Sequence, residues 1–304
     1  LFDLTSLHIG YSIVYPMLIL YSILGISSAV IAIKTRALTV SQLRQQVFAW
    51  WRIFPIVTLS LFFYPLGPLL LMLFICGLSM RELATHFSGA QHIFWLACGL
   101  VLVCAVFLWI DHSAHFVVFF PCLLILQLLF FMRRRDPNQL VLLLFLFCCY
   151  CVGFVINLMH LPLSDDTGLA WLFYLFALTA LNDIAQFVSG KLFGCHAIAS
   201  RISPNKTWEG LIGGVLISML VSVLLGRYLN LADIPFLLLL ALLLSLGGFA
   251  GDLLFSAAKR FLGIKDFSQL IPGHGGILDR IDSLTITAPL LYLAIYFSLN
   301  GFLL

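Results

Sequence analysis

Charge is what this chain has least of. Only 16 of its 304 residues are Lys or Arg and 13 are Asp or Glu, so charged residues make up 10%, whereas a soluble domain carries about 25%. With 62% of residues hydrophobic, a water-soluble globule is excluded. The short alternating segments of a membrane β-barrel are absent too. The apolar stretches are continuous, as they are where a bilayer forces backbone polar groups to be satisfied inside helices. The expected fold class is an all-α, polytopic integral membrane protein.

Other absences narrow the chemistry. The one CxxC spacing, Cys148 to Cys151, lies inside an apolar run, no Cys/His metal spacing occurs, and seven of the eight cysteines sit in apolar runs, Cys195 being the exception. They read as small apolar core residues, with no structural disulfide. The GxxxxGK[ST] pattern of a P-loop is missing. No internal repeat is visible, which disfavours a transporter built from inverted repeats. The net charge of +3 is too small to identify a partner, and no nucleic acid is expected. The chain begins at Leu1, so its native start is expected to be missing. Residues 11–33 are too long for a signal-peptide apolar region and are read as a span.

A crossing helix needs roughly 20 apolar residues. Candidate spans are 11–33, 93–110, 116–132, 139–160, 168–190, 210–227, 234–258 and 284–304. The stretch 50–80, with Pro65, Gly67 and Pro68 at its centre, fits one span poorly. Read as a hairpin turning at Pro65–Pro68, it puts the basic clusters Lys34–Arg52, Arg133–Arg135, Lys191–Lys206 and Lys259–Arg280 on one side. The acidic pair Asp165–Asp166 then falls on the other. The expectation is nine to ten transmembrane helices with cytoplasmic catalytic loops. They form one membrane domain over 1–304, in which 1–165 holds helices of little motif content and 168–304 holds the catalytic helices and loops.

Two polar, charged stretches stand out beside the apolar segments, ISPNKTWEG (202–210) and SAAKRFLGIKDFSQLIPGHGGILDRID (256–282). Asp252, Ser256 and Lys259 recur at i, i+4 and i+7 and share a helix face. A carboxylate at a membrane edge needs a cation, which is either a metal or, as a helix-end ion pair, Lys259 or Arg260. Asp279 and Asp282 stand at i, i+3, either as a second pair of metal ligands or as a solvated helix start. Two close carboxylates repel, and a hard divalent cation relieves that. Asp252, Asp279 and Asp282 together suit Mg²⁺, which takes few protein carboxylates and completes its shell with water and substrate phosphates.

The run Pro272-Gly273-His274-Gly275-Gly276 either cradles phosphate oxygens with free backbone N–H groups or is a plain turn. His274 either donates to phosphate or caps that turn. Lys259, Arg260, Lys265 and Arg280 are either phosphate clamps or ordinary cytoplasmic positive charge. Ser203, Asn205, Lys206 and Thr207 open the next span, as an anion site or as a helix cap on Thr207 or Ser203. Asp183 lies deep in a span and is a functional candidate by that fact. Asn182, Gln186 and Ser189 form a polar stripe beside it, suited to hydrogen bonding between helices.

The long run with Ser256, Lys259, Arg260, Lys265, Asp266, Pro272 to Gly276, Asp279, Arg280 and Asp282 in register resembles the signature of phosphatidate cytidylyltransferases, also called CDP-diglyceride synthases. ISPNKTWEG resembles that family's S-P-x-K-T-x-E-G element, and Asn182-Asp183 through Gly194 its preceding helix and F-G turn. The resemblance covers roughly residues 180–285. Gln186 stands where an aromatic is frequent and Cys195 where a basic residue is frequent. The resemblance implies the reaction of CTP with phosphatidate to CDP-diacylglycerol and pyrophosphate, in phospholipid biosynthesis. It implies Mg²⁺, with room for a second metal ion, held by Asp252, Asp279 and Asp282, with these carboxylates and Lys259 as catalytic residues. Lys206, Lys259, Arg260 and Lys265 would hold phosphates. Arg280 would do so too or would fix Asp279 or Asp282. Asp183 would orient a metal, a lysine or the cytidine.

The partners implied are CTP, a lipid phosphate and the bilayer. A homodimer fits the class, although no dimer face is visible in the sequence. The implied location is the bacterial inner membrane, multi-pass, with the active site facing the cytoplasm. Rival readings are a cytidylyltransferase for an isoprenoid or ether-lipid phosphate, a cation-binding transporter, and a catalytically dead paralogue.

Overall fold

The computed structural model of the protein describes residues 11–34, 42–111, 113–270 and 275–301. They form α1 (Tyr11–Lys34), α2 (Gln42–Phe62), α3 (Leu66–Ala84), α4 (Gln91–Asp111), α5 (Ser113–Arg134), α6 (Pro137–Met159), α7 (Asp165–Phe193), β1 (Ala197–Ala199), β2 (Ser203–Thr207), α8 (Trp208–Tyr228), α9 (Ile234–Phe261), α10 (Leu278–Ile281) and α11 (Leu284–Leu299). Among the described residues, six helical stretches are long and apolar enough to cross a membrane: α3, α6, α7, α8, α9 and Leu278–Leu299. The multi-pass helical character expected from composition is therefore present.

Local chemistry explains the helix starts. Asp136 caps α6, accepting from Asn138 N at 3.0 Å, with Pro137 in the first turn where a missing N–H costs nothing. Ser164 caps α7, accepting from Thr167 N at 3.3 Å, and Asp165 and Asp166 sit at the positive end of its dipole. The 50–80 stretch does break into two helices that pack on each other. The break falls at Phe63–Pro65, earlier than expected. Gly67 and Pro68 lie inside the first turn of α3, where Pro is tolerated.

The centre of the molecule is α6 and α7. Helix α6 packs against α3, α5 and α11, and α7 against α8 and α9. Small residues set the closeness of the C-terminal helices. A methyl at Gly214 of α8 would run into the Gln186 side chain of α7, and one at Gly247 of α9 would meet Leu290 of α11.

Polar bonds then lock the register. Asn182 Oδ1 accepts from Ser245 Oγ (2.6 Å), Ser218 Oγ (3.1 Å) and Gln186 Nε2 (3.1 Å), joining α7, α8 and α9. Asn182 and Gln186 of the expected stripe are thus glue between helices. Tyr174 OH lies 2.6 Å from Ser222 Oγ, and Thr179 Oγ1 donates to Thr287 Oγ1 at 3.1 Å.

Candidate active site

The polar stretch before α8 is not the start of a helix. Ser203–Thr207 is strand β2, paired antiparallel with β1. Thr207 ends the strand and caps α8, its Oγ1 accepting from Gly210 N at 3.1 Å. Alternation along the strand turns successive side chains to opposite faces. Asn205 is exposed, while the Lys206 side chain is only 14% accessible. The fold aims Lys206 at α9, where Nζ lies 2.7 Å from Asp252 Oδ2 and 4.8 Å from the centre of the Phe249 ring. The ammonium makes no well-aligned hydrogen bond, so this is a close ion contact backed by an aromatic face. Ser256 Oγ donates to the other oxygen of Asp252 at 3.3 Å.

Asp252 therefore finds its cation on another element and not in Lys259 or Arg260 of its own helix. Seven residues of helix separate Asp252 from Lys259 by about 10 Å along the axis. Lys259 reaches instead to α10, where Nζ lies 2.6 Å from Asp279 Oδ1. The second oxygen of Asp279 accepts from Gly276 N (2.9 Å) and Phe267 N (3.1 Å). The turn that delivers Gly276 N needs Gly275 at φ +78°, in the region only glycine enters freely.

A second group of carboxylates gathers where α7, α9 and α11 meet. Asp183 accepts from Ser283 Oγ at 3.2 Å, and Asp282 Oδ1 from Ser283 N at 2.8 Å. Asp183 and Asp282 each lie within electrostatic reach of Asp252 and of Arg280, and Asp183 also of Lys206. Glycines permit this meeting. A methyl at Gly251 of α9 would run into the Asp282 carbonyl, and one at Gly248 would press on the Asn182 amide.

The expected trio Asp252, Asp279 and Asp282 is not assembled as a metal site. Among the described residues no three His, Cys, Asp or Glu side chains are placed to hold a metal. The reason is that the Asp279 oxygens are taken by one ammonium and two amide donors. Asp183 stands beside Asp252 and Asp282 in its place. These three are oxygen donors only, and the Asp183 side chain and 39% of that of Asp252 are accessible. Oxygen donors suit a hard cation that takes its remaining ligands from substrate, although as the side chains stand this trio is not drawn together into a metal site either.

The other expected residues divide. Arg260 is exposed and spends its guanidinium on backbone, Nε to Ile202 O at 3.2 Å and one terminal nitrogen to Ile264 O at 3.4 Å, pinning the β1–β2 connection to α9. Lys265 and Arg280 are exposed. Ser203 lies in β2, half-buried. His274, with Pro272 and Gly273, lies outside the described residues.

Comparison with known proteins decides the lineage. The profile of the cytidylyltransferase family matches residues 44–298. The chain belongs to this family. It is 46% identical over 136 residues to the uncharacterized protein YnbB of Escherichia coli K12, covering 44% of this chain and 46% of that protein. It is 41% identical over 147 residues to a phosphatidate cytidylyltransferase of Staphylococcus epidermidis and 40% identical over the same length to one of Staphylococcus aureus, covering 48% of this chain and 56% of each relative. The chain thus spans about half the length of these curated relatives.

Two residues of this cytidylyltransferase-family chain, Glu82 and His86, escaped the sequence reading, and Glu209 was read only as part of ISPNKTWEG, without a role. Glu82 near the end of α3 accepts from Ser268 Oγ (2.6 Å), Ile277 N (2.7 Å) and Leu278 N (3.1 Å). His86 Nε2 lies 2.8 Å from Phe267 O. Glu209 holds the α7–β1 turn, with Oε2 accepting from Cys195 N (3.1 Å) and His196 N (3.2 Å) and Oε1 lying 2.6 Å from His196 Nδ1. Glu82 did leave a signal, since a carboxylate ending an apolar span marks function or a specific partner.

Proposed function

We propose that this protein transfers the cytidylyl group of CTP to phosphatidate, giving CDP-diacylglycerol and pyrophosphate. The observation that carries the proposal is the convergence of Asp183, Asp252 and Asp282 beside Lys206 and Arg280, next to the Lys259–Asp279 pair. The names of the Staphylococcus relatives support the same reading.

In the proposed reaction a phosphate oxygen of the lipid attacks the α-phosphorus of CTP, the bond to the β-phosphate oxygen breaks, and pyrophosphate leaves. The attacking oxygen is already anionic, so the protein needs to do little proton transfer. Its work is to bring two polyanions together and to hold them in line. Lys206 and Lys259, released in part from their carboxylates, would bind phosphate oxygens. Asp183, Asp252 and Asp282 would hold Mg²⁺, with a second ion as an option. Bound there, the metal supplies neutralisation of the triphosphate charge. Gly275 and His274 would contact phosphate, and Gly276, whose N–H is held by Asp279, would shape the turn that presents them. Ser203, Asn205, Thr207, Ser256, Arg260 and Lys265 would line the approach.

We also propose that α1, α2, α4 and α5 cross the bilayer with the six apolar stretches, for nine to ten spans in a bacterial inner membrane. Both motif loops then face the cytoplasm, where CTP is found. Homodimer formation is part of this proposal.

The test is CTP-dependent conversion of phosphatidate by the purified full chain with Mg²⁺, beside Asp252→Asn. Product with the unaltered protein only is the expected result. Mg²⁺-dependent CTP binding without turnover would replace phosphatidate by another lipid phosphate, such as an isoprenoid or ether lipid. Absence of both CTP binding and turnover would overturn the proposal.

A further inference from the structure

The signature segment is tied down from the far half of the chain. Glu82 is 5% accessible, and no cation pairs with it among the described residues. A buried carboxylate survives without a counter-ion only if donors fill its lone pairs. Here the donors are one hydroxyl, Ser268 Oγ, and two amides, Ile277 N and Leu278 N. One helical turn on, His86 meets Phe267 O.

These anchors alternate with the donors that hold Asp279. Phe267 N bonds Asp279, and the adjoining Ser268 side chain is held by Glu82. Gly276 N bonds Asp279, and the adjoining Ile277 N is held by Glu82. The fit at Gly276 is close enough that a methyl there would come within 2.5–2.8 Å of the Glu82 carboxylate.

We infer that Glu82 is a positioning residue: by gripping Ser268, Ile277 and Leu278 it fixes Asp279 against Lys259, and it touches no substrate itself. The inference rests on the reading above that the Lys259–Asp279 pair belongs to the active site. It gives the N-terminal half a defined task in the chemistry of the C-terminal half.

The full chain, purified in detergent or in phosphatidate-containing vesicles, is compared with Glu82→Gln, Glu82→Ala and Ser268→Ala in two measurements. One is steady-state turnover of CTP and phosphatidate. The other is amide hydrogen exchange, read peptide by peptide, which needs no activity. Misplacing a reacting group by about 1 Å costs on the order of 100-fold. The expected result is a loss of roughly 10- to 100-fold in kcat for both Glu82 variants, with KM for CTP changed less than about threefold. Exchange over 275–281 should rise at least about tenfold while that of α8 stays as in the parent. Ser268→Ala, which removes one neutral donor and leaves Glu82 its two amide donors, should show the same pattern at several-fold scale.

Parental kcat and exchange in a folded Glu82→Gln protein would overturn the inference. So would a rise in exchange spread equally over α8 and α11, which would make Glu82 a general structural anchor. If both Glu82 variants fail to fold, Ser268→Ala decides, and parental values in both measurements overturn the inference. If the unaltered chain converts no phosphatidate, the proposed function fails by itself, and exchange at 275–281 still judges the grip of Glu82.

Discussion

Lys206 of a short strand meets Asp252 of a span-length apolar helix at 2.7 Å, with the centre of the Phe249 ring 4.8 Å from the ammonium. The contact joins the two polar stretches of the chain into one site. It also sets the charge of the region, since Asp183 and Asp282 lie within reach of the same carboxylate.

Replacing Lys206 with Met should therefore remove a cation from a place with three carboxylates. Turnover is expected to fall by about 100-fold or more, because fixed positive charge at a phosphoryl centre is hard to replace. Lys206→Arg should recover only part of the rate, since the larger forked guanidinium spreads its charge and does not replace a compact ammonium against Asp252. Steady-state kinetics on the two variants checks this.

Asp279→Asn keeps the shape and loses the charge. The carboxylate accepts from three donors, Lys259 Nζ, Phe267 N and Gly276 N. An amide has one oxygen and adds two donors of its own, so at least one partner is left unsatisfied. The expected cost is about 1–3 kcal/mol in stability, seen as a lower unfolding midpoint, together with loss of turnover.

Gly251→Ala tests the closeness of α9 and α11. The added methyl runs into the Asp282 carbonyl, and overpacking of this kind costs about 1–3 kcal/mol. Turnover should fall more steeply than stability, because the shift moves Asp282 away from Asp252. Gly263→Ala is the control for packing, since nothing lies within 4 Å of a methyl there, although its φ of +70° adds some backbone strain.

Asn182→Leu should act on stability before chemistry. It strands the hydroxyls of Ser218 and Ser245 and the Gln186 amide, all of which donate to Asn182 Oδ1. A loss of about 1–3 kcal/mol is expected, measured by unfolding in detergent.

Cys195 reports orientation. It is exposed beside the β1–β2 element, and of the other described cysteines only Cys122 of α5, to be replaced by Ser for this test, is exposed, while Cys76, Cys98, Cys148, Cys149 and Cys151 are buried. A membrane-impermeant maleimide should label Cys195 in inverted membrane vesicles and leave it unlabelled in right-side-out ones. The opposite pattern would place the site on the outer face.

Class and lineage were readable without coordinates. Span-length apolar runs and a near absence of charge are properties of contiguous residues, and the bilayer translates them directly into helices. The motif around Asp279 is contiguous as well, so its family was legible, and Pro65 marked the break between α2 and α3. Partnership was not legible. Asp252 chose Lys206 over the basic residues of its own helix, Asp279 chose Lys259 and two backbone amides over a shared metal site, and Glu82 reached across 196 residues to Leu278. Ser203–Thr207 became a strand because its register with Ala197–Ala199 lies outside what local pattern shows. The approach of α9 to Asp282 depends in turn on Gly251, where a methyl would not fit. The residue order alone determined what kind of protein this is, and the packing of its helices decided which charges meet.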